Sequence, residues 1–310
     1  MTGATPTLSE KDQVIRTGLL AAIFAYTFWG LFPLYLKTLS SVSAFEILGH
    51  RILWSVPFAA ILLSWRHQWP EVMRAFTQPR VLTMLALAAS AIAVNWLIYV
   101  WAVINDRILE ASLGYYINPL MYVAAGVFIL GERLRRIQLI SVLIASAGVL
   151  VLTFGVGAFP WVAFALAALF TAYGYIRKIT AVGALPGLFI EVVLLSPIAL
   201  IYLLWLFNAG KAVFLSGDTG MNGLLILAGP VTVIPLVLFA LGARRLKLTT
   251  LGFLQYIGPT LQFILGIYFG ETFTFFHAIC FGLIWFALAI FTFDAVQHNR
   301  QEKQLATTPK

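Results

Sequence analysis

Residues 95–119 read NWLIYVWAVINDRILEASLGYYINP, and residues 235–259 read PLVLFALGARRLKLTTLGFLQYIGP. Laid over one another at a constant offset of 140 residues, they need no gap. Both close on Tyr-Ile-x-Pro, from Tyr116 to Pro119 and from Tyr256 to Pro259. Seven residues past each proline stands a glycine, Gly126 or Gly266, and Gly131-Glu132 and Gly270-Glu271 follow one residue out of step. Upstream, Glu46 is matched by Glu191. Each match alone is weak, but their common order along the two halves indicates an internal duplication.

Both copies lie in a very apolar chain. Of its 310 residues 61% are hydrophobic and 10% charged, with a mean hydropathy of +0.93. Soluble domains run at about 45–50% apolar and about 25% charged, so this is an integral membrane protein. A spanning helix needs roughly 20 mainly apolar residues. Ten segments qualify: 17–37, 43–64, 81–104, 109–130, 137–155, 160–176, 185–206, 222–243, 249–269 and 273–293. The expected fold is all-α, ten transmembrane helices in a 5+5 inverted repeat. An odd number of helices per half makes the second half enter the membrane from the opposite side, the design that lets two halves exchange outward- and inward-open shapes. The expected divisions are an N-terminal arm (1–16), a first repeat (17–155), an inverted second repeat (156–294) and a polar, disordered tail (295–310), with arm and tail cytosolic.

Charge sets the orientation. With the N-terminus in the cytosol, Lys11, Arg16, Arg66, Arg74, Arg80, Arg133, Arg135, Arg136, Arg177, Lys178, Arg244, Arg245, Lys247, Arg300, Lys303 and Lys310 fall inside. That is sixteen of the 20 Lys and Arg; Lys37, Arg107 and Lys211 fall outside and Arg51 within the membrane. The bias predicts both termini in the cytosol. It also explains the net charge of +8 as a topology anchor on an anionic leaflet, so no nucleic acid partner is expected. Residues 1–16 carry both signs of charge ahead of a long apolar run, so no cleavable leader is expected. The single Cys280 excludes an internal disulfide. The aromatic and basic segment 65–80 is expected on the inner surface as a short amphipathic helix.

Ionisable residues inside a spanning segment mark polar interiors. In FEILGHRILW (45–54), Glu46 and His50 are spaced i, i+4 and share a helix face, while Arg51 points about 140° away from Glu46 at about 100° per residue. Glu46 is thus expected to orient His50, and Arg51 to find an acidic group on a neighbouring helix or on cargo. The three form either a clamp between helices or a binding and coupling site, His50 being the group able to titrate near neutrality. Glu191 has the same two readings. Pro119 and Pro259, at matched positions, are expected to bend their helices and mark the binding region. Pro230 and Pro235 are expected to bend another cavity helix. Asn95, Asn118, Gln255 and Gln262 could hydrogen-bond cargo there, with Tyr116 and Tyr256 as aromatic walls; the alternative for the amides is polar glue between helices. Glu132 and Glu271, at helix ends, are expected to favour the N-terminus of the next helix.

The stretches EILGHRILW, NWLIYVWAV, EASLGYYINPL, LGERL, GPVTVIPL and TLGFLQYIGPTLQF together resemble the RarD branch of the EamA-type transporters, within the drug/metabolite transporter superfamily. The resemblance covers residues 14–294. It implies a central cavity, with helices 5 and 10 at the periphery, and inner-membrane transport of small metabolites or drugs.

Catalysis has little support. His50, His67, His277 and His298 show no paired metal spacing, and HExxH, GxSxG and P-loop motifs are absent from the sequence. No cofactor or metal is expected. The expected function is a secondary transporter, an exporter by preference, with a small-molecule substrate and the lipid bilayer as partners and protons as candidate coupling ions. The rival is an intramembrane enzyme using Glu46 and His50 as acid and base. The sequence leaves monomer or homo-oligomer open.

Overall fold

The structure, a computed structural model, describes residues 8–130, 136–243, 245–246, 250–251 and 254–307. Glu132, Arg133, Arg135, Arg244 and Lys247 lie outside the described residues. Eleven helices run through them: α1 Leu8–Thr38, α2 Ala44–Trp65, α3 Trp69–Phe76, α4 Pro79–Ile104, α5 Ile108–Leu130, α6 Arg136–Val156, α7 Trp161–Ile179, α8 Ala184–Asn208, α9 Thr219–Ala243, α10 Ile257–Tyr268 and α11 Phe275–Thr307. Eight of these, α1, α2, α4, α6, α7, α8, α9 and α11, are long and apolar enough to cross a membrane, and α10 is a shorter apolar helix. The chain is an all-helical, multi-pass membrane protein. Large apolar side chains such as Phe24, Ile61, Leu143, Phe154, Ile198 and Ile201 are exposed, which an aqueous surface would not favour but a lipid surface does.

The helices pack in a regular pattern. α2 lies between α8 and α9, α4 against α7 and α8, and α1 against α9 and α10. α5 packs on α7 and α10, while α6 packs chiefly on α11. Small residues permit the closest approaches. A Cβ at Gly229 of α9 would sit 2.3 Å from the Trp54 carbonyl oxygen of α2, and one at Gly114 of α5 would sit 2.8 Å from the Ala163 carbonyl oxygen of α7.

Local chemistry sets the element ends. Ser43 caps α2 by accepting from the Glu46 backbone N–H at 3.2 Å. The break between α4 and α5 falls at 105–107, where Asp106 takes a left-handed conformation (φ 56°) that Asp and Asn adopt more readily than most residues. The expected amphipathic helix at 65–80 is α3, eight residues long, which buries Val72 and Ala75 and exposes Met73.

Two expectations need correction. The tail does not become irregular at 295, because α11 runs to Thr307. Its AVQHNRQEKQLAT stretch contains good helix formers that extend an already nucleated helix at little cost. Segment 249–269 is not one helix bent at Pro259. Gln255 and Tyr256 form a turn, and α10 begins at Ile257. Pro259 lies in the first turn of α10, where a backbone N–H would have no partner within the helix. Pro119 instead lies inside the continuous helix α5, as Pro230 and Pro235 do in α9. The matched Tyr-Ile-x-Pro motifs therefore do different local work: one proline is accommodated within a helix, the other starts one.

Candidate functional site

Arg51 is buried where α1, α2, α4 and α9 meet. Its Nε donates to Thr232 Oγ1 at 2.8 Å, and Thr232 in turn donates to the Ala228 carbonyl at 2.8 Å, so the threonine is held as an acceptor. The guanidinium carbon lies 4.2 Å from the Trp96 ring centroid and 5.0 Å from that of Phe32. Phe32 stacks on Tyr99 at 5.9 Å, and Tyr99 meets Tyr115 edge-on at 5.8 Å. No carboxylate among the described residues pairs with Arg51, and its Nη1 and the Tyr99 hydroxyl have no hydrogen-bond partner. A desolvated cation–π contact contributes about 2 kcal/mol and a hydrogen bond to a charged group about 1.5–3 kcal/mol. Together these come to about 3.5–5 kcal/mol, which nearly cancels the cost of about 2.5–3.5 kcal/mol for inserting a cation at mid-membrane plus about 1–3 kcal/mol for the unsatisfied Nη1. The guanidinium can therefore stay charged here without a counter-ion.

Glu46 and His50 share a helix face but not a hydrogen bond. Glu46 Oε1 accepts from the backbone N–H groups of Val213 and Phe214, at 2.8 and 3.1 Å, fastening the loop between α8 and α9. His50 Nδ1 accepts from Trp54 Nε1 at 3.2 Å, its ring packs 4.6 Å from Phe214, and its Nε2 is unpartnered. Trp54 thus orients His50 in place of Glu46, and the acid–base pair that the enzyme reading needs is not assembled.

On α8, Glu191 is almost fully buried and meets Arg177 of α7, Nε to Oε1, at 3.4 Å. Tyr173 donates to its other oxygen at 3.3 Å, and Arg177 Nη2 donates to the Gly183 carbonyl at 3.0 Å. A Cβ at Gly187 would sit 2.1 Å from Arg177 Nη1, so the absence of a side chain there makes room for the guanidinium.

A third polar cluster joins α5 to α10. Thr260 directs its one hydroxyl proton to the Tyr256 carbonyl at 2.6 Å, so Tyr116 donates to Thr260 Oγ1 at 2.7 Å. Tyr116 stacks near Tyr256 at 6.3 Å, and Ser112 donates to the Pro259 carbonyl at 3.1 Å. Gln255 sits beside them in the turn. Asn95 donates to the Leu166 carbonyl at 2.9 Å and Gln262 to the Trp29 carbonyl at 3.1 Å, both as ties between helices. Asn118 is buried with its Oδ1 unpartnered. The candidate residues therefore fall into separate clusters, not one pocket.

A cavity of about 250 Å³ opens elsewhere, among Asp106, Arg107, Glu110, Glu271 and His277. Its carboxylates are engaged with backbone: Glu271 accepts from the Ile108 and Leu109 N–H groups at the start of α5, and Glu110 from Val162 N–H at the start of α7. Glu271 thus caps a helix far away in sequence, not the next one. With Lys37–Asp106 and Arg107–Glu110 also paired, the cavity offers little free polarity.

The model of the EamA-like transporter family matches residues 16–154. The chain is 44% identical to Protein RarD of Salmonella typhi over 93% of its own length and 98% of that protein. The chain belongs to the RarD branch of the EamA-type transporters. Protein RarD of Escherichia coli K12 is also 44% identical, over 92% of this chain and 97% of that one. A Pseudomonas aeruginosa relative named chloramphenicol-sensitive protein RarD is 30% identical, over 94% of this chain and 98% of its own. A solved crystal structure 21% identical has a TM-score of 0.57, covering 89% of this chain and 96% of the other, and so shares the fold. The RarD-type chain is thus a membrane transporter of the drug/metabolite superfamily. Sequence reasoning missed Phe32, Trp96, Tyr99 and Thr232 around Arg51, and Tyr173 and Arg177 around Glu191. Arg177 was legible only as one of many inside positive charges, and the aromatic residues were too numerous to single out.

Proposed function

We propose that this RarD-type protein is a secondary transporter that moves a small metabolite or drug-like molecule by alternating access around Arg51, with export as the preferred direction. The observation that carries this reading is a buried guanidinium at the meeting point of four helices with no carboxylate partner among the described residues, and an unpartnered hydroxyl on Tyr99, which packs on the same Phe32 ring. The frame is ten spans in a 5+5 inverted repeat, with both termini in the cytosol and the bacterial inner membrane as location. The packing supports that frame. Exchanging α1 with α7, α2 with α8, α4 with α9, α5 with α10 and α6 with α11 turns each principal packing pair into another or into itself: α2–α9 becomes α8–α4, α1–α9 becomes α7–α4, and α5–α7 becomes α10–α1. The family match also ends at residue 154, next to the expected end of the first repeat at 155.

In this orientation Glu46, Val213 and Phe214 lie near the outer mouth and Glu191 and Arg177 near the inner one. Cargo reaching Arg51 crosses between α1, α2, α4 and α9, and His50, set beneath Phe214, is the candidate coupling group for protons. The test is a metabolite-wide uptake screen in inverted vesicles holding the pure protein, with and without a pH gradient. Saturable uptake of an unchanged solute is expected. Vesicles indistinguishable from protein-free ones across the screen, or a chemically altered solute, would overturn the reading.

A further inference from the structure

We infer that the cargo held at Arg51 is an organic anion, an acidic group joined to an apolar body. The inference rests on the transporter reading and adds the chemical class of its substrate. Arginine stays charged under all ordinary conditions and offers five N–H donors. Here Nε is satisfied by Thr232, while Nη1, buried and pointing at no acceptor, is not. The chain neutralises other cations in its helix ends: Lys37 meets Asp106, Arg107 meets Glu110 and Arg177 meets Glu191. Arg51 is left without a carboxylate among the described residues.

The surroundings narrow the class further. Arg51 Nη1 and the Tyr99 hydroxyl are both unsatisfied, and both side chains pack on the Phe32 ring; the guanidinium can only donate, whereas the phenol can donate or accept. A ligand that completes the site must therefore bring acceptors. A carboxylate accepts from a guanidinium and a phenol at once, and such charge-assisted bonds are the strong ones. The remaining wall is Trp96, Phe32 and Tyr115, which suits an apolar body and offers a bare inorganic ion nothing. Loading would also convert an unpaired buried charge into a neutral pair, lowering the penalty for enclosing it. The occupied carrier could then close over its site more readily than the empty one.

The test uses the purified full-length protein and its thermal unfolding in detergent. The probes are a panel of aromatic and aliphatic carboxylates, the matching amides and amines, and sodium chloride at equal ionic strength. At least one carboxylate should raise the unfolding temperature saturably, with its amide at least about tenfold weaker and chloride without effect. The shift should vanish in Arg51→Met and weaken about tenfold in Tyr99→Phe. Absence of a shift with every carboxylate, equal binding of an acid and its amide, or a chloride effect equal to that of the carboxylates would overturn the inference. So would full affinity in Arg51→Met or, if that variant does not fold, in Tyr99→Phe. Vesicle counterflow with the bound carboxylate separates the two readings. Binding without exchange would sink the transporter reading and leave the anion assignment standing. Exchange of a neutral solute that persists in Arg51→Met would do the reverse.

Discussion

Helices α2 and α8 stand at matched places in the proposed inverted repeat, yet their ionisable side chains are treated differently. On α8, Glu191 meets Arg177 and Tyr173, and Arg177 is tied down again at Gly183. On α2, the carboxylate of Glu46 is drawn off to the 213–214 backbone, and Arg51 is left among aromatic rings with a free Nη1. In the proposed repeat, two halves built on one plan would rock against each other. A cargo site, however, must be different from its mirror image, since cargo is not symmetric. Arg177 Nη1 lacks a hydrogen-bond partner too, but Arg177 has a carboxylate beside it and reads as a fastening, whereas Arg51 has none among the described residues and reads as a site.

The comparison breaks if the two clusters respond alike to losing charge. The largest effect is expected at Arg51. Arg51→Met replaces an uncompensated buried cation with an apolar chain of similar length, a change that is often neutral or stabilising. Uptake per folded molecule should fall by about a hundredfold, equivalent to about 2.7 kcal/mol at about 1.36 kcal/mol per tenfold, while the unfolding temperature holds or rises. Glu191→Gln should show the opposite pattern. It leaves Arg177, which is partly buried, without its carboxylate, at a cost of about 1–3 kcal/mol of stability, with uptake per folded molecule within a few-fold of the parent. Adding Arg177→Met to Glu191→Gln should recover part of that loss, because the orphaned charge is gone. Equal stability losses at Arg51 and Glu191 would mean that both are clamps.

Smaller effects sharpen the picture. Glu46→Gln weakens two charge-assisted bonds to the loop between α8 and α9, costing about 1–2 kcal/mol. Limited proteolysis at residues 211–217 should become faster while the rest of the chain resists. The smallest difference is expected between the prolines. Pro119→Ala supplies an N–H that can bond inside continuous α5, whereas Pro259→Ala adds one in the first turn of α10, where none is required. Hydrogen exchange around residue 119 should slow, and exchange around 259 should change little.

The all-helical, multi-pass character of the fold was legible because hydropathy is a property of one dimension. The apolar segments that became the eight candidate spans, the break at Asn105–Arg107 and the helix at 69–76 needed no knowledge of neighbours. Sequence-local rules failed where tertiary partners decide. The i, i+4 spacing of Glu46 and His50 allowed a bond that the 213–214 N–H groups and Trp54 each took over. Glu271 caps α5, some 160 residues earlier in the chain, and no local signal points there. Arg51 could be marked as ionisable and displaced around the helix from Glu46, but its partner Thr232 lies 181 residues away. Its lack of a counter-ion is visible only once the helices are packed. The start of α10 was missed because a proline within an apolar run reads equally as a kink or as a first turn.

In the proposed transport cycle the place beside Arg51 opens alternately to the two sides of the membrane. This alternation can be tested with Thr232→Cys in a Cys280→Ser background, since Thr232 Oγ1 lies 2.8 Å from Arg51 Nε and Cys280 is the chain's only cysteine. A membrane-impermeant maleimide is applied to right-side-out and to inverted vesicles. Alternating access requires labelling from both sides, with the bound carboxylate slowing both reactions. Labelling from one side only, or from neither, with and without that ligand, would contradict it.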